Sequence, residues 1–301
     1  GDLVCVPGSV VSSSTCRHAD VASMIAAQDP DWFLPLGDIQ YENGIYADFM
    51  APTGYNGSFS EFLPRTLPIV GNHEYADPAG AGVGYFRYFD PQSTGQFGAN
   101  PGGYYTRTIG SWRLIVVNSE CSSGIENANQ MLAGGCGVGS PEYTWLESVL
   151  QSSTEKCTIA AFHRPRWSTQ TASTNPSSYP EMAPLWDLMA RYGVELGVSG
   201  HKHASEVFAP IGESSTGDPV GSATGMRQFV AGAGGKNLGP FDALSGAIGT
   251  LVQARDNTTF GGLKLTLHDG SYDWAFVPVA GQSFKNAGTT GSFSGTGVAC
   301  S

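Results

Sequence analysis

Trp32-Phe-Leu-Pro-Leu36 runs directly into Gly37-Asp-Ile-Gln-Tyr41, a short apolar segment that ends at an acid and a phenol. The same arrangement recurs three times. Leu67-Pro-Ile-Val70 leads into Gly71-Asn-His-Glu74, Cys157-Thr-Ile-Ala-Ala-Phe162 ends at His163, and Val194-Glu-Leu-Gly-Val198 precedes Gly200-His-Lys-His203. Runs of this length, bounded by Gly or Pro, suit buried parallel strands that deliver polar side chains at their carboxyl ends. Four of the six histidines (His73, His163, His201 and His203) fall at such ends, which makes chance placement a poor explanation and a shared site a good one.

The side chains so collected have the chemistry of a two-metal centre. Asp38 is the carboxylate placed to bridge two cations. Asn72 offers an amide oxygen, and His163, His201 and His203 offer imidazole nitrogens, a mixture that suits zinc, manganese or iron better than calcium. Tyr41 stands three residues after Asp38. A phenolate is a hard anionic ligand, so it points to one iron(III) beside a divalent zinc, manganese or iron. Two such ions would hold a hydroxide and polarise a phosphoryl oxygen for in-line attack. His73 is placed to pass a proton to the leaving oxygen, with Glu74 to orient it. Arg164 either clamps a substrate phosphate or pairs with a structural acid.

Helical spacing of apolar residues covers Arg17 to Gln28, Pro141 to Gln151 and Pro180 to Tyr192. Strand and helix alternate from Asp31 to Gly200, which predicts an α/β fold with helices over a mostly parallel sheet. Beyond His203 the segments read as short strands and turns without a helix, so the last third is expected to be an antiparallel sheet. No linker interrupts the chain, and residues 1–301 read as one domain. Gly232-Ala-Gly-Gly235 lacks the Lys-Ser/Thr ending of a phosphate-binding loop and reads as a tight turn. No Gly-x-Ser-x-Gly elbow is present, which disfavours a serine hydrolase.

Composition narrows the partners. A formal charge of −11 over 301 residues disfavours nucleic acid, which needs clustered Lys and Arg. No apolar run is long enough for a membrane span. Six cysteines without a CxxC pair read as disulfides. Proximity favours Cys5 with Cys16, Cys121 with Cys136 and Cys157 with Cys300, although sequence alone leaves the connectivity open. With its low Lys content, the chain reads as a mature secreted protein. His18 and His268 lack the strand-end context and read as surface or structural residues. Trp167, Tyr75 and Tyr85 are expected mainly in the core, with a lesser expectation that they line the cleft. The stretches Ala76 to Asn100 and Thr169 to Ser178 are expected to form its walls.

The series GDxxY, GNHE, a lone His after a strand, and GHxH resembles the metallophosphoesterase (calcineurin-like) superfamily, in its purple acid phosphatase-like branch. The resemblance runs from Gly1 to His203. It implies a four-layer α/β/β/α sandwich and a secreted phosphomonoesterase with two metals, one of them iron(III). By position, Tyr41 and His203 fall on the ferric side, Asn72, His163 and His201 on the divalent side, Asp38 between them, and His73 toward the substrate. The family's first motif maps Asp2 onto the ferric side. Only Gly1 precedes that residue, and Val4 stands where calcineurin-like members carry a histidine. A phosphodiesterase acting on phospholipid or nucleotide diesters is the alternative within the enzyme class. A secreted binding protein with a degraded site is the alternative outside it.

Overall fold

The computed structural model describes residues 1–90, 102–121, 132, 134–170, 179–214 and 217–300. Seven strands form the central sheet: β1 (Tyr105–Ile109), β2 (Trp112–Val116), β3 (Cys157–Ala161), β4 (Leu196–Ser199), β5 (Ser205–Ile211), β6 (Met226–Ala231) and β7 (Val252–Asp256). Their order is β1-β2-β3-β4-β6-β5-β7. The middle run β2-β3-β4-β6 is parallel, while β1, β5 and β7 pair antiparallel at the edges. A second sheet of β8 (Gly261–His268), β9 (Ser271–Pro278) and β10 (Ser294–Ala299) is antiparallel, in the order β10-β9-β8.

Alternation along the strands assigns the two faces of the central sheet. Ile115, Ala160, Phe162 and Val230 pack with Leu146, Leu150, Leu185, Trp186 and Met189 of the helices Pro141–Ser152 and Ala183–Arg191. Leu114, Val116, Ile159, Ala161, Val198 and Phe229 face the other way, into a cluster with Leu3, Val4, Leu36, Ile69, Trp274 and Phe276. The second sheet and the chain's first segments therefore form the next layer. Beyond them, Ala22 of the helix His18–Gln28 and the rings of Phe49, Tyr55 and Phe59 join the same core. This is the expected mixed α/β sandwich.

Two of the four apolar runs, CTIAAF and VELGV, carry the regular parallel strands β3 and β4. The other two pair in parallel only through isolated bridges, Phe33 with Thr66 and Leu36 with Ile69. Pro35 and Pro68 lie inside these runs and have no N–H to continue a ladder, so direction and carboxyl ends survive without regular strands. Val4 with Gln40 makes a third parallel bridge. The helix near the carboxyl side, expected as one piece from Pro180, is a 3-10 turn Pro180–Met182 followed by Ala183–Arg191. One short helix, Gly246–Leu251, interrupts the last third, which was expected to contain none.

The three disulfides are Cys5–Cys16, Cys121–Cys136 and Cys157–Cys300. The last spans 143 positions and ties β3 of the central sheet to the end of β10. Trp167, Tyr75 and Tyr85 are all buried, and Trp167 packs edge-on against Trp186. The core therefore holds them, as mainly expected. Val83–Phe89 is a helix packed among the aromatic rings, while residues 91–101 and 171–178 of the expected cleft walls lie outside the described residues. His18 is buried beside Gly235, and His268 is exposed and hydrogen-bonded to Asp273.

Burial of acids gives the fold a pH signature. Glu195 accepts the Thr158 N–H at 2.5 Å between β3 and β4, and burial pushes its carboxyl up from 4.5 to about 7. The unfolded chain ionises this group at about 4.5 and the folded chain only near 7. Its contribution to stability therefore falls as pH rises through that window. Thermal melts of Glu195→Gln should lose part of the wild-type decline between pH 4.5 and 7; an unchanged pH profile would refute the assignment.

Candidate metal centre

The four strand-end motifs converge, and backbone strain marks where they do. Asp2, Asp38 and His201 adopt left-handed conformations (φ 61°, 47° and 66°) that non-glycine residues avoid unless their surroundings enforce them. Gly37, at φ 79°, is the residue this turn needs, because a Cβ there would collide with the His163 imidazole. Gly71 is required in the same way, since a Cβ would strike Asp38.

The donors form two groups. In one, the Tyr41 hydroxyl lies 3.1 Å from Asp2 Oδ1, 3.1 Å from Asp38 Oδ2 and 3.0 Å from His203 Nε2. In the other, His163 Nε2 lies 3.2 Å from Asp38 Oδ1, 3.1 Å from Asn72 Oδ1 and 3.0 Å from His201 Nδ1. Each Asp38 oxygen thus belongs to a different group. Asp2, Asp38 and His163 are buried, whereas the side chains of His73 and His203 are 24% and 20% exposed, so the site opens toward the last two.

This donor set fits cations. His163 Nδ1 donates to the Leu36 carbonyl at 2.8 Å, which turns Nε2 toward the Asp38 and Asn72 oxygens and the His201 ring nitrogen. When His163 is neutral, its Nε2 lone pair and the two oxygens repel one another unless a positive charge sits among them. A proton is the smallest such charge: burial opposes protonation of His163, yet the Asp38 carboxylate and its hydrogen bond push the imidazole up to about 9. Asp38 shows the reciprocal effect. Burial alone would raise its carboxyl, but His163 and His73 hold it well below the usual range. Burial, aided by Asp38 and Asp2, keeps Tyr41 well above the ordinary phenol value, so a phenolate there needs a compensating cation. Burial, Arg164 and His163 depress His201, which keeps its imidazole neutral, the form a metal ligand requires.

A family model for calcineurin-like phosphoesterases matches residues 16–205. The chain belongs to that family. Acid phosphatase A of Cryphonectria parasitica is 32% identical over 149 residues, 46% of this chain and 29% of that protein. Among solved structures, a purple acid phosphatase from yellow lupin (Lupinus luteus) seeds superposes with TM-score 0.61 at 19% identity, over 91% of this chain and 49% of the lupin chain. GAP50, the anchor in the inner membrane complex of Plasmodium, gives 0.60 at 11% identity, over 95% and 88% of the two chains. PhoD gives 0.55 at 14%, over 91% and 64%. The chain therefore spans about half, or less, of the length of the two phosphatases. At these identities the solved structures establish the fold alone.

Other expected residues sit somewhat differently. Glu74 does not hold the His73 ring. Its buried carboxylate accepts the N–H groups of Gly71 (2.9 Å), Asp38 (2.9 Å), Ile39 (2.7 Å) and Gln40 (3.1 Å), stapling the GNHE turn to the GDIQY loop. The Glu42 carbonyl holds His73 Nδ1 instead, at 2.5 Å, and leaves Nε2 toward the open side, 3.9 Å from Asp38 Oδ2. Arg164 Nε donates to both oxygens of Glu120 at 2.8 and 3.0 Å, so its main partner is a structural acid.

Sequence reasoning passed over three contributors. The Gly232–Gly235 turn and the residue after it carry the amides that dock the first residues: Gly234 N–H donates to the Gly1 carbonyl at 3.2 Å and Lys236 N–H to the Asp2 carbonyl at 3.0 Å. Four residues of almost bare backbone after β6 were the available signal of close chain approach. Tyr179 places its hydroxyl 2.6 Å from His201 Nε2. Lys236 stands over the Tyr41 ring, 4.3 Å from its centroid. Because Glu74 satisfies four amides, Glu74→Ala should cost roughly 3 kcal/mol or more in a denaturant melt; a loss below 1 kcal/mol on the same scale would contradict the stapling role.

Proposed function

We propose that this chain is a secreted two-metal phosphatase that hydrolyses small-molecule phosphate monoesters, with iron(III) on one side and zinc, manganese or iron(II) on the other. The observation that carries the reading is the shared Asp38 carboxylate between two four-donor groups, one holding a phenol and the other an amide. Family membership makes a phosphoesterase the coarse assignment. Likeness to a fungal acid phosphatase and a purple acid phosphatase favours monoesters over the alternative of diesters. Three disulfides support export to an oxidising compartment, and no helix among the described residues is long and apolar enough to cross a membrane.

Asp2, Asp38, Tyr41 and His203 would hold the ferric ion, and Asp38, Asn72, His163 and His201 the divalent one. Bound there, the pair supplies Lewis-acid polarisation of the phosphoryl group and a water acid enough to attack it at neutral pH. The protein's own part is positioning and proton transfer. His163 is fixed in one tautomer by the Leu36 carbonyl. His73, anchored through Nδ1, presents Nε2 where a protonated imidazole gives its proton to the leaving alkoxide. Arg164 stands behind His201, with Nη1 3.3 Å from its Nε2, and its fixed charge disfavours the imidazolium, leaving the neutral ring that a metal ligand requires. Fold alone would not decide for an enzyme, since the anchor protein of Plasmodium shares it; the reading rests on the donor set.

A nitrophenyl phosphate assay beside bis(nitrophenyl) phosphate tests the substrate class: the monoester should turn over faster, and a reversed preference moves the assignment to diesters. Asp38→Asn should abolish turnover of both, and full activity in that variant would sink the two-metal reading. His73→Asn should lower kcat roughly a hundredfold with metal content unchanged. Tyr41→Phe should remove any visible phenolate-to-iron absorption; a wild type that is colourless and free of iron would defeat the ferric assignment and leave the hydrolase standing.

A further inference from the structure

At the open edge of the site, Lys236 is a cation that belongs to neither donor group. Lys236 Nζ lies 4.3 Å from the centroid of the Tyr41 ring and 3.0 Å from Glu42 Oε2. Its backbone is held on both sides, by its N–H to the Asp2 carbonyl and by its carbonyl, which accepts the Cys16 N–H at 2.9 Å. Cys16 is in turn bonded to Cys5. The ammonium is thereby stationed beside a candidate ligand, and it keeps 19% exposure while Glu42 keeps 56%. Glu42 serves both His73 and Lys236: its carbonyl holds His73 Nδ1, and its carboxylate holds Lys236 through one oxygen while the other lies 3.6 Å from His73 Nδ1.

A partly exposed pair of this kind adds little to stability, so stability does not account for a lysine locked here. The Tyr41 ring that it covers lies 4.2 Å from the His73 ring and 6.1 Å from the His203 ring, centroid to centroid, so its charge borders the approach to both histidines. We infer that Lys236 is a specificity-determining residue that reads the second negative charge of a phosphate monoester, with Glu42 partly offsetting its field. A monoester dianion carries that extra charge, and a diester monoanion does not. The inference rests on the phosphatase reading above and adds to it the group that separates the two ester classes.

The test uses the metal-loaded protein, with nitrophenyl phosphate and bis(nitrophenyl) phosphate as substrates and inorganic phosphate as a binding probe in calorimetry. Lys236→Met should raise KM for the monoester, and weaken phosphate binding, about tenfold, the lower end for a lost charged hydrogen bond. Its diester KM should move less than about twofold, inside the spread of ordinary surface substitutions. Lys236→Arg should recover most of the loss. Glu42→Gln keeps the carbonyl that holds His73 but removes the opposing charge, so it should tighten phosphate binding. That opposite sign is something a merely structural pair would not produce. Equal losses on both substrates, no change in either, or weaker phosphate binding in Glu42→Gln would overturn the inference. A wild type without phosphate ester hydrolysis would instead overturn the phosphatase reading.

Discussion

One carboxylate with its two oxygens committed to different neighbours organises this molecule. Asp38 Oδ2 faces Tyr41, and Asp38 Oδ1 faces His163. For those oxygens to point apart at the floor of a buried site, the GDIQY loop must be held rigidly in a left-handed turn. Glu74 does this by accepting four backbone N–H groups from two separate loops. The arrangement is costly in itself. Burial beside Asp38 pushes the Glu74 carboxyl up to about 7, a sign that two buried carboxylates compete for the same positive surroundings. Cations in the two donor groups would relieve both acids at once.

The fold supplies what that turn requires. Parallel strands end together, so side chains from segments more than a hundred residues apart arrive at one edge of the sheet. His163 follows β3, His201 and His203 follow β4, and the Gly-rich turn after β6 receives the segment that bears Asp2. The second sheet and the Cys157–Cys300 bridge close the far side of the core, away from these carboxyl ends.

Much of this was legible in the sequence because the site obeys a local rule. Asp38, Asn72, His163, His201 and His203 each follow a short apolar run, and the rule holds even where Pro35 and Pro68 prevent a regular strand. Asp2 lacks such a run, yet it reaches the site through backbone pairing with the Gly37–Ile39 segment, a non-local cause that no sequence window displays. The same applies to the edge of the site. Lys236 meets Glu42 across 194 positions, and Tyr179 meets His201 across 22 that include a helix and β4, so neither had a pattern to betray it. Glu74 was found for its place in GNHE but assigned the wrong partner: a carboxylate next to a histidine suggests a side-chain pair, whereas four unsatisfied amides made the stronger claim. The five-residue helices Tyr46–Met50 and Tyr55–Phe59 were invisible for a simpler reason, since five residues do not complete two turns of periodicity.

Whether Asp38 lies between two cations is tested most directly by anomalous X-ray diffraction from crystals grown with iron and zinc. Two peaks per chain are expected, roughly 3.5–4 Å apart, one beside Tyr41 and one beside Asn72, with an Asp38 oxygen facing each. A single peak, or a metal pair that Asp38 does not bridge, would contradict that placement.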